Sequence, residues 1–520
     1  MFSVRLSQPL ILLCLLTREV LCQVTATVAV AAPSAAPTIA PDLVSLSIEL
    51  DRWTDWSGTT SRNAFTFNAL NNLGQITGAP PRLRIGGDTE DRTDWSPTMK
   101  FSTATFDPPT ANTPYPEGSN IILGDGFYQT AQFLPPNTRF TWGVNFKNGN
   151  MTDLYLQAKS LLKAFTSSAV TSAGIMLDYI EIGNEVGLGD PPRHVSSLQD
   201  YISRWTSYAT NITGSFGIPS TTSHTKFWAG AFAGTMWTPQ DLFASGGILE
   251  SHAGSLVTAY SQHKYEGGFC SGAAGLLQNL MDKNLIRSNL TGLIDDAAAT
   301  RAKGFEYYLG ETNSDSCHGI PGVSNTAGAA LWTLDHALHA SQIGITRLYF
   351  HEGVGFKYNL IQPVTLTVST TDGTPLQKPL PPHVQPQYYG AIIAAEAIGK
   401  GTTRAVELTI DNERISGYAF YSGNRLARIV LINSQAYLAT TIGTRPSTLV
   451  KLAFTGSGAP TKMVVKRLAI AHADDTSGLT WGGQTYETAN AKVSGTLKTT
   501  SANVADGVTI SATEAVLLTF

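Results

Sequence analysis

Charge is scarce in this chain. Lys, Arg, Asp and Glu together make up 14% of its 520 residues, and the net charge is −4. That balance provides no polybasic face, which removes nucleic acid and anionic membrane surfaces from the partners to consider. Cysteine is scarce too, at four residues, with no Cys-x-x-Cys pair. Histidines are also not closely spaced in a ligating pattern. His336 and His339 share one face of a helical pattern, but they read as packed or solvated side chains. Neither a metal nor an organic cofactor is implied. Long apolar runs are missing apart from Leu10–Leu16 near the N-terminus, which is too short to span a bilayer. The chain is therefore expected to be soluble once processed.

What is present begins at that run. Arg5 precedes it, and Val20-Leu21-Cys22 supplies a small-residue cleavage site before Gln23, so residues 1–22 read as a secretory signal peptide. Cys14 and Cys22 would leave with it. Cys270 and Cys317 then remain, and two cysteines in a secreted chain suggest one disulfide, with two buried free thiols as the alternative. Asn150, Asn211 and Asn289 each begin an Asn-x-Ser/Thr sequon, consistent with a secreted, extracellular glycoprotein.

Residues 23–40 hold an alternating strand pattern, Val24–Val30, and a Pro/Ala/Ser linker. From 41 to 382 eight short apolar runs alternate with helical patterns. The runs are Leu43–Leu50, Arg82–Ile85, Phe140–Phe146, Leu177–Ile182, Lys226–Phe232, Leu256–His263, Phe305–Leu309 and Ile345–Phe350. Helical spacing is clearest at Leu154–Phe165, Leu198–Tyr208, Leu276–Ala302 and Ala327–Ile343. Eight such units predict an α/β fold, a (β/α)8 TIM barrel, with a doubly wound sheet as the alternative. Gly86–Asn137 is a long Pro- and Thr-rich insertion, expected to run as a loop over one face. From 383 to 520 helical spacing fades and short alternating runs separated by turn signals predict an antiparallel β-sandwich. The strand at Val24–Val30 has no partner in the barrel and is a candidate to join that sandwich.

In a barrel, residues just past the C-terminal ends of the strands converge on one pocket. Those positions hold Asp88, Asn145, Asn184-Glu185, His263-Lys264-Tyr265, Gly310-Glu311 and His351-Glu352. Glu185 and Glu311 each follow an apolar strand and stand at the mouth beyond strands four and seven, facing each other. Glycosidic cleavage needs such a pair, one to protonate the leaving oxygen and one to attack or stabilise the anomeric carbon. Glu352 and Asp88 are rival carboxylates, and each of these residues alone is as well explained by structure as by function. Arg193, His194, Lys264, His318 and Lys357 place basic groups on four mouth loops, which suits an anionic sugar; surface loops collect such residues in any case. Trp95, Trp142 and Trp237 are candidates to stack on sugar faces or to fill the core. A Cys270–Cys317 disulfide would join loops after neighbouring strands and pin the segment beyond Glu311.

Arg84-Ile85-Gly86-Gly87-Asp88-Thr89, Glu181-Ile182-Gly183-Asn184-Glu185, Gln262-His263-Lys264-Tyr265 and Gly310-Glu311-Thr312-Asn313-Ser314 resemble glycoside hydrolase family 79. That family holds fungal and bacterial β-glucuronidases and, more distantly, heparanase. It lies within the large clan of retaining (β/α)8 glycosidases. The resemblance runs over the barrel and the sandwich. It implies Glu185 as acid/base, Glu311 as nucleophile, Asn184 on the sugar 2-hydroxyl and Tyr265 orienting Glu311. It further implies Tyr358 and backbone donors of the 315–319 loop, Gly319 among them, on the uronate carboxylate. Substrates would be glucuronic-acid-containing glycans, such as proteoglycan or plant cell-wall polysaccharide, attacked from the end. A same-clan enzyme on neutral sugars, an endo-acting heparanase-like enzyme and a non-catalytic carbohydrate-binding protein are the competing readings.

Overall fold

A computed structural model describes residues 22–147, 149–188, 195–234 and 236–520. The signal segment, but for Cys22, and the candidates Arg193 and His194 lie outside the described residues. Eight strands close a barrel: β1 Val44–Glu49, β2 Leu83–Gly86, β3 Arg139–Val144, β4 Met176–Ile182, β5 Lys226–Ala233, β6 Val257–Gly268, β7 Glu306–Ser316 and β8 Arg347–Glu352. Each pairs in parallel with the next, and β8 closes on β1 through Leu348 to Glu352 beside Val44 to Ile48. The apolar runs foretold these strands because parallel strands inside a ring of helices are buried on both faces.

The barrel interior is filled, not hollow. Tyr179, Trp228, Ala259, Tyr308 and Tyr349, from β4 to β8, form an aromatic cluster separate from the main core. Trp228 packs 5.0 Å from Tyr308 and 5.1 Å from Tyr349, ring to ring. Below it Arg82 joins Asp42 and Asp178, and Arg347 joins Asp42, all at 2.7–2.8 Å. Chemistry is thereby confined to the opposite, C-terminal mouth.

The C-terminal domain is a large antiparallel sheet running from Thr38–Ile39 through Thr403–Glu407, Ile415–Ser422, Arg425–Asn433, Glu514–Thr519 and Lys462–Ala469 to Thr480–Trp481. A second sheet of Cys22–Ala29, Ser447–Thr455 and Val508–Ser511 covers one of its faces. The N-terminal strand does join this domain, pairing in parallel with Ser447–Thr455. Its Ala26 and Val28 point into the core between the sheets.

Three local expectations change. Gln387–Ile398 is a helix that packs on the barrel helices Ala327–Gln342 and Ala64–Thr77, so the barrel continues past residue 382 to about 398. It is covered by the sandwich on its other side, so it is apolar all round and shows no amphipathic period to read. Leu276–Ala302 is three short helices, not one: Leu277–Leu280, Lys283–Thr291 and Ile294–Ala302. The 86–137 insertion is no plain loop. It folds into a three-stranded sheet of Thr93–Trp95, Gly118–Leu123 and Ser102–Phe106, which carries Glu117 to the barrel mouth.

Candidate active site

Gly183 and Glu185 both adopt left-handed backbone, at φ 84° and 43°. For a glutamate that conformation is strained and persists only where its surroundings hold it. The hold comes from a bulge in β5. Ala231, itself at φ 53°, accepts the Glu185 N–H at 2.9 Å, and the Ser261 hydroxyl accepts the Ala231 N–H at 3.1 Å. The turn after β4 thus aims the Glu185 side chain across the barrel axis instead of continuing the strand.

Glu311 sits on β7, buried, with both oxygens occupied. Tyr265 donates its hydroxyl to Oε1 at 2.6 Å, and Arg84 donates Nη1 to Oε2 at 3.0 Å. Arg84 is fully buried and also bonds Glu181, Ser47 and the side-chain oxygen of Asn184. One guanidinium therefore sets the positions of Glu311 and Asn184 together. His351 Nδ1 and His263 Nδ1 lie 3.6 and 3.8 Å from Glu311 Oε2. Burial alone would raise the Glu311 pKa. The charges of His351, His263 and Arg84 and the Tyr265 hydroxyl outweigh it and hold the carboxyl well below its usual range.

Glu185 meets His263 Nδ1 through Oε1 at 2.9 Å. Ligand atoms of Glu185, His263 and Glu311 all lie within 4.8 Å of one another. Three such donors match a cation site in number. Arg84 and His351 already crowd Glu311 with positive charge, so the set suits proton transfer and attack better than a metal. Around the pair is a cavity of about 460 Å³. Its wall includes Asp88, Lys264, Tyr265, His318 and Tyr358, together with the Cys270–Cys317 disulfide.

The remaining candidates divide. Asn184 reaches Asp88 Oδ1 at 3.1 Å, and both sit at the mouth. Tyr358 is buried on the wall, 6.2 Å ring to ring from Tyr265. Gly319 stands just outside the cavity lining, its hydrogen facing Ser324 and the Tyr358 ring. Glu352 turns away from the cavity and accepts the N–H groups of Leu360 and Ile361, which makes it a loop anchor. Asn145 likewise donates to the Thr93 carbonyl. Lys357 does not reach the mouth: it is buried, 5.1 Å over the Phe269 ring and 3.4 Å from the Asn112 carbonyl. Burial pushes its ammonium down to about 8. Trp142 is core, and neither Trp95 nor Trp237 lines the cavity. Of the sequon asparagines, Asn150 is exposed, Asn211 is half-buried on the Leu198–Phe216 helix, and Asn289 spends its amide on Glu266.

Two acids on the wall went unread in the sequence. Glu49 ends β1 and lies 3.2 Å from His351 Nε2, so the strand-end rule applied to the first strand would have found it. Glu117 comes from the insertion and pairs with His318 Nε2 at 3.0 Å and Arg92 at 3.2 Å. No sequence rule predicts where so long an insertion returns.

Comparison with known proteins fits this geometry. A family model described as the glycosyl hydrolase family 79 C-terminal beta domain matches residues 417–517. Curated β-glucuronidases of Neurospora crassa and Aspergillus niger are 28% and 29% identical, over 85% and 87% of this chain and 84% of each of theirs. A solved 4-O-α-L-rhamnosyl-β-D-glucuronidase from Fusarium oxysporum superposes with a TM-score of 0.79 at 26% identity, covering 95% of this chain and all of that one. The chain is similar to glycoside hydrolase family 79 in its C-terminal domain and to fungal β-glucuronidases over most of its length. It is a glycoside hydrolase whose likeness to these relatives spans both domains. A GH51 arabinofuranosidase from Xanthomonas axonopodis, 15% identical with a TM-score of 0.61, shares the fold alone.

Proposed function

We propose that this glycoside hydrolase is a secreted, exo-acting, retaining β-glucuronidase. It removes terminal β-linked glucuronic acid, including the 4-O-methyl form, from glycans of the proteoglycan or plant cell-wall type. The observation that carries this reading is the closeness of Glu185 and Glu311, with carboxylate oxygens within 4.8 Å. Retaining glycosidases hold their carboxyls about 5 Å apart, whereas inverting ones leave about 6.5 Å or more for a water. Glu311, kept ionised by its neighbours, attacks the anomeric carbon while Glu185 gives its proton to the departing oxygen. A glycosyl ester on Glu311 results. Glu185 then takes a proton from water, which attacks that ester and frees the sugar with its configuration retained.

The uronate carboxylate is assigned to Tyr358 and to the turn after β7. Cys317, His318 and Gly319 have φ of 57°, 70° and 85°, and their N–H groups bond no other described residue. Successive free amides of this kind bind anions. Asn184, Asp88, Glu49 and Glu117 are left for the hydroxyls. The names of the fungal relatives support the same substrate class. Secretion rests on the N-terminal sequence and the disulfide.

The test is hydrolysis of p-nitrophenyl β-glucuronide beside the β-glucoside, β-galactoside and β-xyloside, with proton NMR of the first-released anomer. Strong preference for the glucuronide and a β-product support the reading. A neutral-sugar preference removes the uronate assignment, and an α-product removes the retaining mechanism. A 4-O-substituted glucuronide belongs in the panel, because the Fusarium enzyme is named for one.

A further inference from the structure

We infer that the Cys270–Cys317 disulfide is a positioning element for sugar selectivity: it fixes the left-handed turn at 317–319 whose amides distinguish a uronate from a neutral sugar. This rests on the glucuronidase reading and adds to it a covalent determinant of substrate choice.

β6 and β7 pair as far as Gly268 beside Ser316, and Phe269 adds one more bond to the Ser316 carbonyl at 3.0 Å. The ladder ends there. One residue further on each strand the disulfide takes over, joining Cα atoms 5.1 Å apart. Cys317 and His318 then both take left-handed backbone, which non-glycine residues avoid at a cost, and Gly319 follows in the same region. Such a run needs outside restraint. The disulfide holds its first residue. Lys357 N–H holds the His318 carbonyl at 2.8 Å, and the His318 ring stacks 3.7 Å from Phe356 while its Nε2 meets Glu117. These contacts occupy the carbonyl and side-chain faces of the turn and leave its N–H groups for a ligand. Cys270, Cys317 and His318 all line the cavity that holds Glu185 and Glu311, so the restraint acts at the site itself.

A disulfide with only a global stabilising role would affect all substrates alike. A positioning role predicts a split. In the double variant Cys270→Ala/Cys317→Ala, kcat/KM for p-nitrophenyl β-glucuronide should fall about tenfold or more, mainly through KM, the scale of losing a charge-assisted hydrogen bond. Turnover of the β-glucoside should stay within about twofold. Reducing the native enzyme with a phosphine, with released thiols counted, gives the same comparison without refolding a variant. Parallel loss on both substrates, or no loss on either, overturns the inference while leaving the function reading intact. A native enzyme with no preference for the glucuronide overturns that reading and the inference with it.

Discussion

The hydroxyl of Tyr265 lies 2.6 Å from Oε1 of Glu311, while Arg84 holds the other oxygen. The carboxylate cannot rotate without breaking one of these bonds, so in the proposed mechanism its attacking oxygen is aimed before substrate arrives. Tyr265→Phe keeps the ring on the cavity wall and removes only the donor. A hydrogen bond to a charged group contributes about 1.5–3 kcal/mol, so kcat should fall roughly 10- to 100-fold. KM should change little. A variant with normal kcat and raised KM would show that Tyr265 grips the sugar instead of the nucleophile.

Glu185 and Glu311 should fail differently. Glu311→Ala removes the attacking group and should abolish turnover of every glycoside. Glu185→Ala should lose about 10²–10⁴-fold on substrates with poor leaving groups, yet much less in the first step with p-nitrophenol, which needs no proton. Azide should restore activity to both, giving a β-glycosyl azide from Glu185→Ala and an α-glycosyl azide from Glu311→Ala. The same azide anomer from both would reverse or dissolve the two roles.

His351 stands between Glu49, at 3.2 Å from Nε2, and Glu311, at 3.6 Å from Nδ1. Burial alone would lower its pKa. The charge of Glu311 and the bond and charge of Glu49 outweigh this and raise it to about 9. A folded-state pKa above the unfolded value gives stability that is complete below about pH 6.5 and lost as pH rises through about 9. Glu49 acts in the same direction. Burial and the Glu117 charge raise it to about 7, so its ionisation disfavours the fold as pH rises. The melting temperature should therefore decline between pH 6 and 10, and decline less in His351→Gln. Loss of this cation also relaxes the hold on Glu311, so the acid limb of kcat/KM should move to higher pH. An unmoved acid limb would mean that Arg84 and His263 suffice.

The eight barrel strands were legible because each is buried on both faces and stops at a polar mouth. Glu185 and Glu311 were legible for the same reason, as carboxylates at two such stops. Arg84 appeared within a motif, but its part in holding Glu181, Asn184 and Glu311 together depends on three strands meeting inside the barrel. Sequence carries no mark of that convergence. Lys357 looked like a mouth cation because its loop follows β8, and the Phe269 and Asn112 loops that bury it arrive from elsewhere in the chain. The Gln387–Ile398 helix was missed for the opposite reason: two domains cover it, so its polar face is absent.

Those two domains are joined by a polar network that makes a last prediction. Arg287, on the barrel helix Lys283–Thr291, grips Asp335 with two bonds at 2.6 and 2.9 Å. It also reaches Glu407 at 2.7 Å and the Tyr418 hydroxyl at 2.7 Å on the sandwich. Tyr418 and Ser416 complete the shell of Asp335, and His339 Nδ1 meets Glu407 at 2.6 Å. Removing one member of a buried charged set leaves another without its partner, at about 3–5 kcal/mol. Arg287→Leu should therefore lower the melting temperature and separate one unfolding transition into barrel and sandwich steps. Activity at room temperature should be retained, since the network shares no residue with the cavity. Burial alone would raise the Asp335 pKa, but Arg287, Tyr418 and Ser416 outweigh it and hold it below the usual carboxylate value. Its stabilisation is then present above the unfolded pKa of about 4 and is lost as pH falls through the lower folded value. Native protein should lose stability in that acid range, and Arg287→Leu should show a flatter acid side. A variant that melts like the native chain, in one step and with the same acid slope, would show that the apolar contacts of Gln387–Ile398 alone couple the domains.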